Sequence, residues 1–257
     1  ITGVLDTHDV GVMADGQILF VNTLYNCLAT PCARHAFTPV WKPDFVSRIV
    51  KEDRCHLNGL AMEAGRPAYV TAISRSDTID GWRDRRVDGG VVAEVASGRI
   101  VASGLSMPHS PRMHDGRLWV LNSGTGELGW IDREADASRA FQPLAFCPGF
   151  VRGLALSGRH AIVGLSKPRY QRFEGLALDT RLREADSEAW CGLQVIDLQT
   201  GACLHWFRID GAIGELYDVA LLPGIACPMA LGFASDEILG FITHDALDPT
   251  PIDERQV

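Results

Sequence analysis

The stretch SPRMHDGRLWVLNS, residues 110–123, decides the fold. A run that reads as a strand leads into Asp115-Gly116, and a second run, LWVL, follows at once. Asp-Gly between two β-rich runs is a strong short-range hairpin signal, because glycine accepts the positive φ that a tight turn needs. The same phrase recurs as VGVMADGQILFVNT (10–23), GLAMEAGRPAYVTA (59–72), GLALSGRHAIVGLS (153–166) and, shortened, DVALLPG (218–224). The turn glycines are Gly16, Gly65, Gly116, Gly158 and Gly224, spaced by 49, 51, 42 and 66 residues. Self-similarity at that period marks a propeller or a solenoid.

Several repeats carry a further strand pair, as in GGVVAEVASGRIVASG (89–104), GELGWIDREADASRAFQPLAF (126–146) and CGLQVIDLQTGACLHWFRI (191–209). Four strands in about 45 residues make one propeller blade. The expectation is an all-β propeller of six or seven blades in the complete protein, with about five visible. The chain opens at Ile1 without an initiator Met, which reads as loss of an N-terminal portion. Residues 1–257 then form a single incomplete propeller domain, with a charged insertion at 168–190 and a polar tail at 245–257. The insertion predicts a short helix around Leu178–Ala189, on the face where propellers bind their partners. Residues 73–90 are a second irregular stretch.

A net charge of −8 repels phosphate backbones, so a broad nucleic-acid interface is excluded. No apolar run reaches the roughly 18 residues of a membrane span. Seven cysteines form an odd set without a C-x-x-C pair, which reads as reduced thiols and a cytoplasmic location. The G-x-G-x-x-G of Gly124, Gly126 and Gly129 precedes another strand rather than a helix, so it reads as an inter-strand turn. Ser106 and Ser166 lack the second glycine and the helix of a nucleophile elbow.

Chemistry gathers just upstream of each inner strand, where side chains of successive blades converge on one axis. His8 and Asp9, His56 and Asn58, His109 and Arg112, Arg152, and Glu215, Tyr217 and Asp218 stand there. Imidazoles of His8, His56 and His109 suit one divalent transition metal ion, the cofactor this set suggests. Asp9 or Asp218 is the candidate base, and Asn58, Arg112, Arg152, Glu215 and Tyr217 the candidate substrate contacts. Counted back from the turn glycines, His56 stands one residue earlier than His8 and two earlier than His109. Strand side chains alternate faces, so that offset tells against a shared ion. The reading is a small-molecule or metal site at the channel mouth, with metal-dependent hydrolase or lactonase chemistry. The alternative is a scaffold that binds a protein, peptide or glycan partner without chemistry. The tryptophans read as packing between blades, with sugar stacking open for Trp82 and Trp190.

The segments VNTLYNCLAT (21–30), EDRCHLNGLAM (52–62), DGWR (80–83), GLSMPHSPR (104–112), RLWVLNSGTGEL (117–128), PGFVRGLAL (148–156), AIVGLSKPR (161–169) and ELYDVALLPG (215–224) resemble a bacterial family of conserved hypothetical proteins, domain-of-unknown-function family 4915. The resemblance spans nearly the whole chain and implies no activity. The repeats are also similar to NHL, YVTN and SMP-30/gluconolactonase propellers. The last of these implies a metal at the channel mouth held by carboxylate and Asn ligands. Asn58 and Asp218 are similar in placement, and no matching early glutamate is present.

Overall fold

The computed structural model describes residues 3–226, 228, 230–232, 234–240 and 242. They fall into two compact units, 1–220 and 221–257. The first holds four antiparallel sheets of four strands, each with its strands in chain order. Blade 1 contains β1 (Thr7–Val12), β2 (Ile18–Asn22), β3 (Cys27–Thr30) and β4 (Thr38–Trp41). Blade 2 contains β5 (Leu57–Glu63), β6 (Arg66–Ala72), β7 (Gly90–Glu94) and β8 (Ile100–Leu105). Blade 3 contains β9 (Pro108–His114), β10 (Arg117–Asn122), β11 (Glu127–Ile131) and β12 (Phe141–Phe146). Blade 4 contains β13 (Phe150–Ser157), β14 (His160–Ser166), β15 (Gly192–Asp197) and β16 (Cys203–Arg208). This is an all-β propeller.

The first four repeats fold as expected. Gly16, Gly65, Gly116 and Gly158 each turn the first strand of a blade into the second, all at positive φ. The fifth departs from expectation. Residues 215–222 form no strand, and the unit 221–257 contains one short 3-10 turn, Asp236–Gly240, among its described residues. The sheet count among the described residues is therefore four where five repeats were read. Among the described residues no strand follows Gly224 to complete a hairpin there. Within the first unit, residues 214–219 run instead as a strap. Lys167 N–H donates to the Gly214 carbonyl (2.8 Å), Leu216 N–H to Ser166 Oγ (2.9 Å), and the Tyr217 hydroxyl to the Thr7 carbonyl of blade 1 (2.5 Å). The polar tail at 245–257 lies outside the described residues, as do Cys227 and His244.

The second strands are continuous apolar runs because both of their faces are buried between blades. Leu118 and Val120 of β10 pack with Ala61, Tyr69 and Val92 of blade 2. Trp119 and Leu121, one residue along, pack with Val151, Leu154, Val163 and Leu165 of blade 4. Leu19, Val21 and Leu28 meet Leu57, Leu60, Val70 and Val91 in the same way. Each such Leu or Val removed from water contributes on the order of 1.5–3 kcal/mol.

Both irregular stretches join the second strand of a blade to its third. Residues 73–90 link β6 to β7, and 168–190 link β14 to β15 and carry the helix α1 (Ala177–Glu184), within the expected segment. Leu178 and Leu182 of α1 bury against Phe173 and Leu176, with Met107, Phe146 and Phe150 at the margin. Leu178 N–H donates to the Gly124 carbonyl (2.9 Å), which docks the insertion onto the β10–β11 turn. That turn is where the G-x-G-x-x-G lies.

Candidate functional site

All four inner strands break register with their neighbour near their first residues: between Thr7 and Val10, between Leu57 and Gly59, opposite Leu121 to Trp119, and between Val151 and Leu154. A bulge at this place re-aims the side chains at the start of each inner strand. It also settles which residues are equivalent. Thr7 lies opposite Asn22, Leu57 opposite Ala72, Pro108 opposite Asn122 and Phe150 opposite Ser166. The next residue in each blade is His8, Asn58, His109 and Val151. His56 is not the counterpart of His8 and His109. It stands two residues before Asn58, as Asp6 and Met107 stand before the other two histidines, and all three have left-handed φ of 54°, 51° and 49° in chain order. This is the physical source of the offset in the sequence.

His8 and His109 are held alike. His8 Nδ1 lies 3.0 Å from the Asp6 carbonyl and 2.8 Å from Thr23 Oγ1, and that hydroxyl donates to the Leu57 carbonyl of the next blade (2.6 Å). His109 Nδ1 lies 2.8 Å from the Met107 carbonyl and 3.1 Å from Ser123 Oγ, which donates to the Val151 carbonyl of the next blade (2.6 Å). Each hydroxyl has spent its one proton, so each Nδ1 carries the hydrogen and donates. The Nε2 lone pair is left over. His56 reaches the same tautomer by another route. Its Nδ1 donates to Asp53 Oδ2 (2.6 Å), and its backbone N–H donates to Asp53 Oδ1 (2.9 Å). The Trp82 ring packs on its imidazole, with centroids 4.2 Å apart.

The rings converge. His8 and His56 meet edge to face with centroids 4.8 Å apart, and Tyr217 of the strap lies 5.9 Å from His8. The Arg152 guanidinium sits 3.7 Å above the Tyr217 ring. Arg152 Nη2 and Asn58 Nδ2 are both buried, and among the described residues neither has an acceptor. Asn58 Oδ1 accepts from Thr71 Oγ1 (2.6 Å). Burial, the neighbouring His56 and Arg152 lower the His8 imidazole to about 4. Burial and then Arg152 push His109 well below its ordinary value. Both rings are neutral at pH 7. His109 sits on the insertion side, where its ring meets Phe150 edge on (5.5 Å) and Phe150 stacks on Phe173 (6.2 Å).

Other expected site residues have different work. Asp9 is not a free base. Its carboxylate accepts from Leu60 N–H (2.9 Å), Val10 N–H (2.9 Å) and Arg112 Nη1 (2.8 Å), and burial raises its pKa in spite of Arg112. Arg112 is correspondingly not an open clamp. Besides Asp9 it donates to the Leu60 and Pro111 carbonyls (3.0 Å each) and faces both Asp218 oxygens at 3.4 Å. The pair ties blades 1, 2 and 3 together. Asp218 is half exposed and serves as the second partner of Arg112. Glu215 pairs with Arg169 of the insertion (2.6 Å). Among the described residues no three His, Cys, Asp or Glu side chains are grouped to hold one metal ion. The shared-ion geometry expected for His8, His56 and His109 is therefore not formed by the described groups. Sequence reading missed Asp53, Thr23 and Ser123. Asp53 had a local signal, an acid three residues before a histidine in a polar turn. Thr23 and Ser123 had one too, since both end the repeated phrase.

These features define a β-propeller that gathers neutral imidazoles, a buried amide and a buried guanidinium where its inner strands begin. The chain belongs to the family described as "Domain of unknown function (DUF4915)", whose model matches residues 1–231. Comparison with curated protein sequences gives no match. Among solved structures the chain is similar to Kuenenia stuttgartiensis hydrazine synthase (11% identity, 80% of this chain and 50% of that one, TM-score 0.46). It is also similar to the Myceliophteria thermophila Cps50 (Swd1) β-propeller domain (10%, 84% and 59%, 0.47) and to a streptogramin B lyase (7%, 83% and 58%, 0.46). The chain spans 50–59% of the length of these three. No helix among the described residues is long and apolar enough to cross a membrane.

Proposed function

We propose that the channel mouth is a small-molecule site in which His56, oriented by Asp53, acts as a general base. One observation carries this reading: the His56 imidazole is fixed from its Nδ1 side by a carboxylate at 2.6 Å, which leaves Nε2 as the proton acceptor. Hydrolysis of an ester or lactone is the reaction class the set suits. His56 Nε2 takes a proton from water as the water oxygen bonds to the carbonyl carbon. The electron pair displaced onto the carbonyl oxygen is met by the unpaired Nη2 of Arg152. The C–O bond then breaks, and the leaving oxygen takes the proton back from His56. A metal-bound water is the weaker version of this hydrolase reading, because the guanidinium that lowers both His8 and His109 also opposes a cation among them.

The test is turnover of a panel of aryl esters and aliphatic lactones at pH 7.5, with and without a chelator. His56→Gln is expected to lose about 10²–10⁴-fold in kcat, the usual worth of a positioned base. Asp53→Asn should fall in the same direction, and chelation should change nothing. Turnover that survives His56→Gln, or that chelation abolishes, overturns the reading. Saturable binding of panel members without turnover would put the non-catalytic scaffold in its place.

A further inference from the structure

A cavity lies on blade 4, on other residues than the imidazole cluster. Trp190, Gln194, Trp206 and Arg208 line a cavity of about 230 Å³. Cross-strand pairing builds it, since Gln194 lies opposite Trp206 and Gly192 opposite Arg208. Trp190, at the end of the insertion, meets Trp206 at 68°, with ring centroids 6.3 Å apart, so the two indoles form a corner. Glycine at 192 makes the corner possible. Its φ is +151°, and a Cβ there would fall 2.0 Å from the Phe207 carbonyl oxygen and 2.8 Å from the Trp190 ring.

Two features of this corner point to a ligand. Trp206 is 68% exposed, an unusual state for an indole in a folded domain. Gln194 is 8% exposed and lines the cavity, yet among the described residues its Oε1 receives no hydrogen bond. A buried acceptor left unpaired forfeits its hydrogen bond to water without replacement, so a donor is called for. Arg208 also lines the cavity, and with its Nε on Asp210 (3.0 Å) it brings further N–H donors to this place. A ligand that fits must offer a C–H face to indole, donate to Gln194 and accept from Arg208.

We propose that this corner binds a single uncharged pyranose ring, the terminal sugar of a glycan. A pyranose has apolar C–H faces, and its hydroxyls both donate and accept. Other occupants meet only part of the requirement. A proline-rich segment stacks on indoles but offers mainly carbonyl acceptors, which leave Gln194 Oε1 unpaired. An acyl chain offers no donor. An anion pairs with Arg208 but repels the Gln194 oxygen. The cavity lies below the roughly 300–1,000 Å³ of drug-sized pockets, which suits one ring rather than an extended chain.

The experiment is saturation-transfer NMR and tryptophan fluorescence on the full chain with methyl glycosides of glucose, galactose, mannose and N-acetylglucosamine at millimolar concentration. One of them is expected to bind saturably. Trp206→Ala should abolish binding. Gln194→Leu, which keeps the size and removes the acceptor, should weaken it by about tenfold or more. His56→Gln should bind like the wild type, which separates this site from the channel mouth. Circular dichroism of both blade 4 variants guards against a folding defect. The proposal is overturned if no glycoside binds the wild type, if Gln194→Leu binds equally well, or if a proline-rich peptide or a decanoate competes more strongly than every sugar.

Discussion

Asp9 and Arg112 stand 103 residues apart in sequence, and their ion pair is predicted to hold three blades in place rather than to act on a ligand. The Asp9 side chain is 5% exposed and that of Arg112 is 24%. Replacing Asp9 by Ala strands a mostly buried guanidinium and removes the acceptor of Leu60 N–H. Breaking a buried pair from one side typically costs about 3–5 kcal/mol. Arg112 keeps some water and a second acid, Asp218, at 3.4 Å, so the lower end, about 3 kcal/mol, is the expected loss. For a domain of this size that is a fall in Tm of roughly 6–12 °C. Urea denaturation and thermal melts of wild type, Asp9→Ala and Asp9→Leu/Arg112→Met measure it. The double variant removes both charges and should recover most of the loss. A loss of under about 1 kcal/mol in Asp9→Ala would refute the reasoning. So would a variant that melts like the wild type but loses turnover, since that is how Asp9 would behave as a catalytic base.

Two further outcomes follow from the same geometry. His8 is held at about 4 in the folded protein against an ordinary 6.5, so above pH 6.5 it adds nothing to pH dependence. Below 6.5 the unfolded chain takes up a proton that the folded site refuses, and stability falls until about pH 4, by about 3 kcal/mol at 1.36 kcal/mol per unit. Urea midpoints at pH 7, 5 and 4 should show that loss, and His8→Asn should reduce it; equal slopes in the two proteins would contradict the assignment. Gly59 is pinned where blades 2 and 3 touch, with an added Cβ falling 2.3 Å from both Pro111 Cδ and Thr71 Oγ1. Gly59→Ala should therefore cost about 1–3 kcal/mol by overpacking, read as a lowered melting temperature, whereas a neutral result would mean the blades can slide apart there.

The propeller was legible because its signals are local. A glycine at positive φ and an apolar run of four or five residues need only near neighbours to be understood, and all four hairpins fell where Gly16, Gly65, Gly116 and Gly158 placed them. The fifth repeat misled for the same reason. DVALLPG has the right local form, but a strand needs a partner, and residues 214–219 bond as a strap to Thr7, Ser166 and Lys167 instead. The candidate site was half legible. Polar residues stand before each inner strand, and His8, His56 and Arg152 come together around Tyr217 and one another. Their roles were not readable, because two facts are tertiary. The bulges that shift register are set by how strands meet, so His56 was aligned with the wrong neighbours. The engagement of Asp9, Arg112 and Glu215 depends on partners 46–103 residues away.

The parallel between His8 and His109 bears on what the mouth is for. In blades 1 and 3 a hydroxyl at the end of the second strand takes the imidazole hydrogen and passes its own to the next blade. The tautomer of each ring is already set by a backbone carbonyl, Asp6 or Met107, which can only accept from Nδ1–H. What the hydroxyl adds is a tie between ring and next blade, since it donates to the Leu57 or Val151 carbonyl. Both rings held this way are kept neutral by burial and neighbouring charge. In blade 2 the equivalent place holds Asn58, and the imidazole moves two residues back to His56, onto a carboxylate instead of a hydroxyl. That substitution changes the chemistry. A neutral hydroxyl only orients a ring, whereas Asp53 places a carboxylate on the Nδ1 side of His56, the arrangement the proposed mechanism uses. On the proposed reading, the ring that breaks the repeat is the one that serves as the base, and the two that keep it stay neutral beside it.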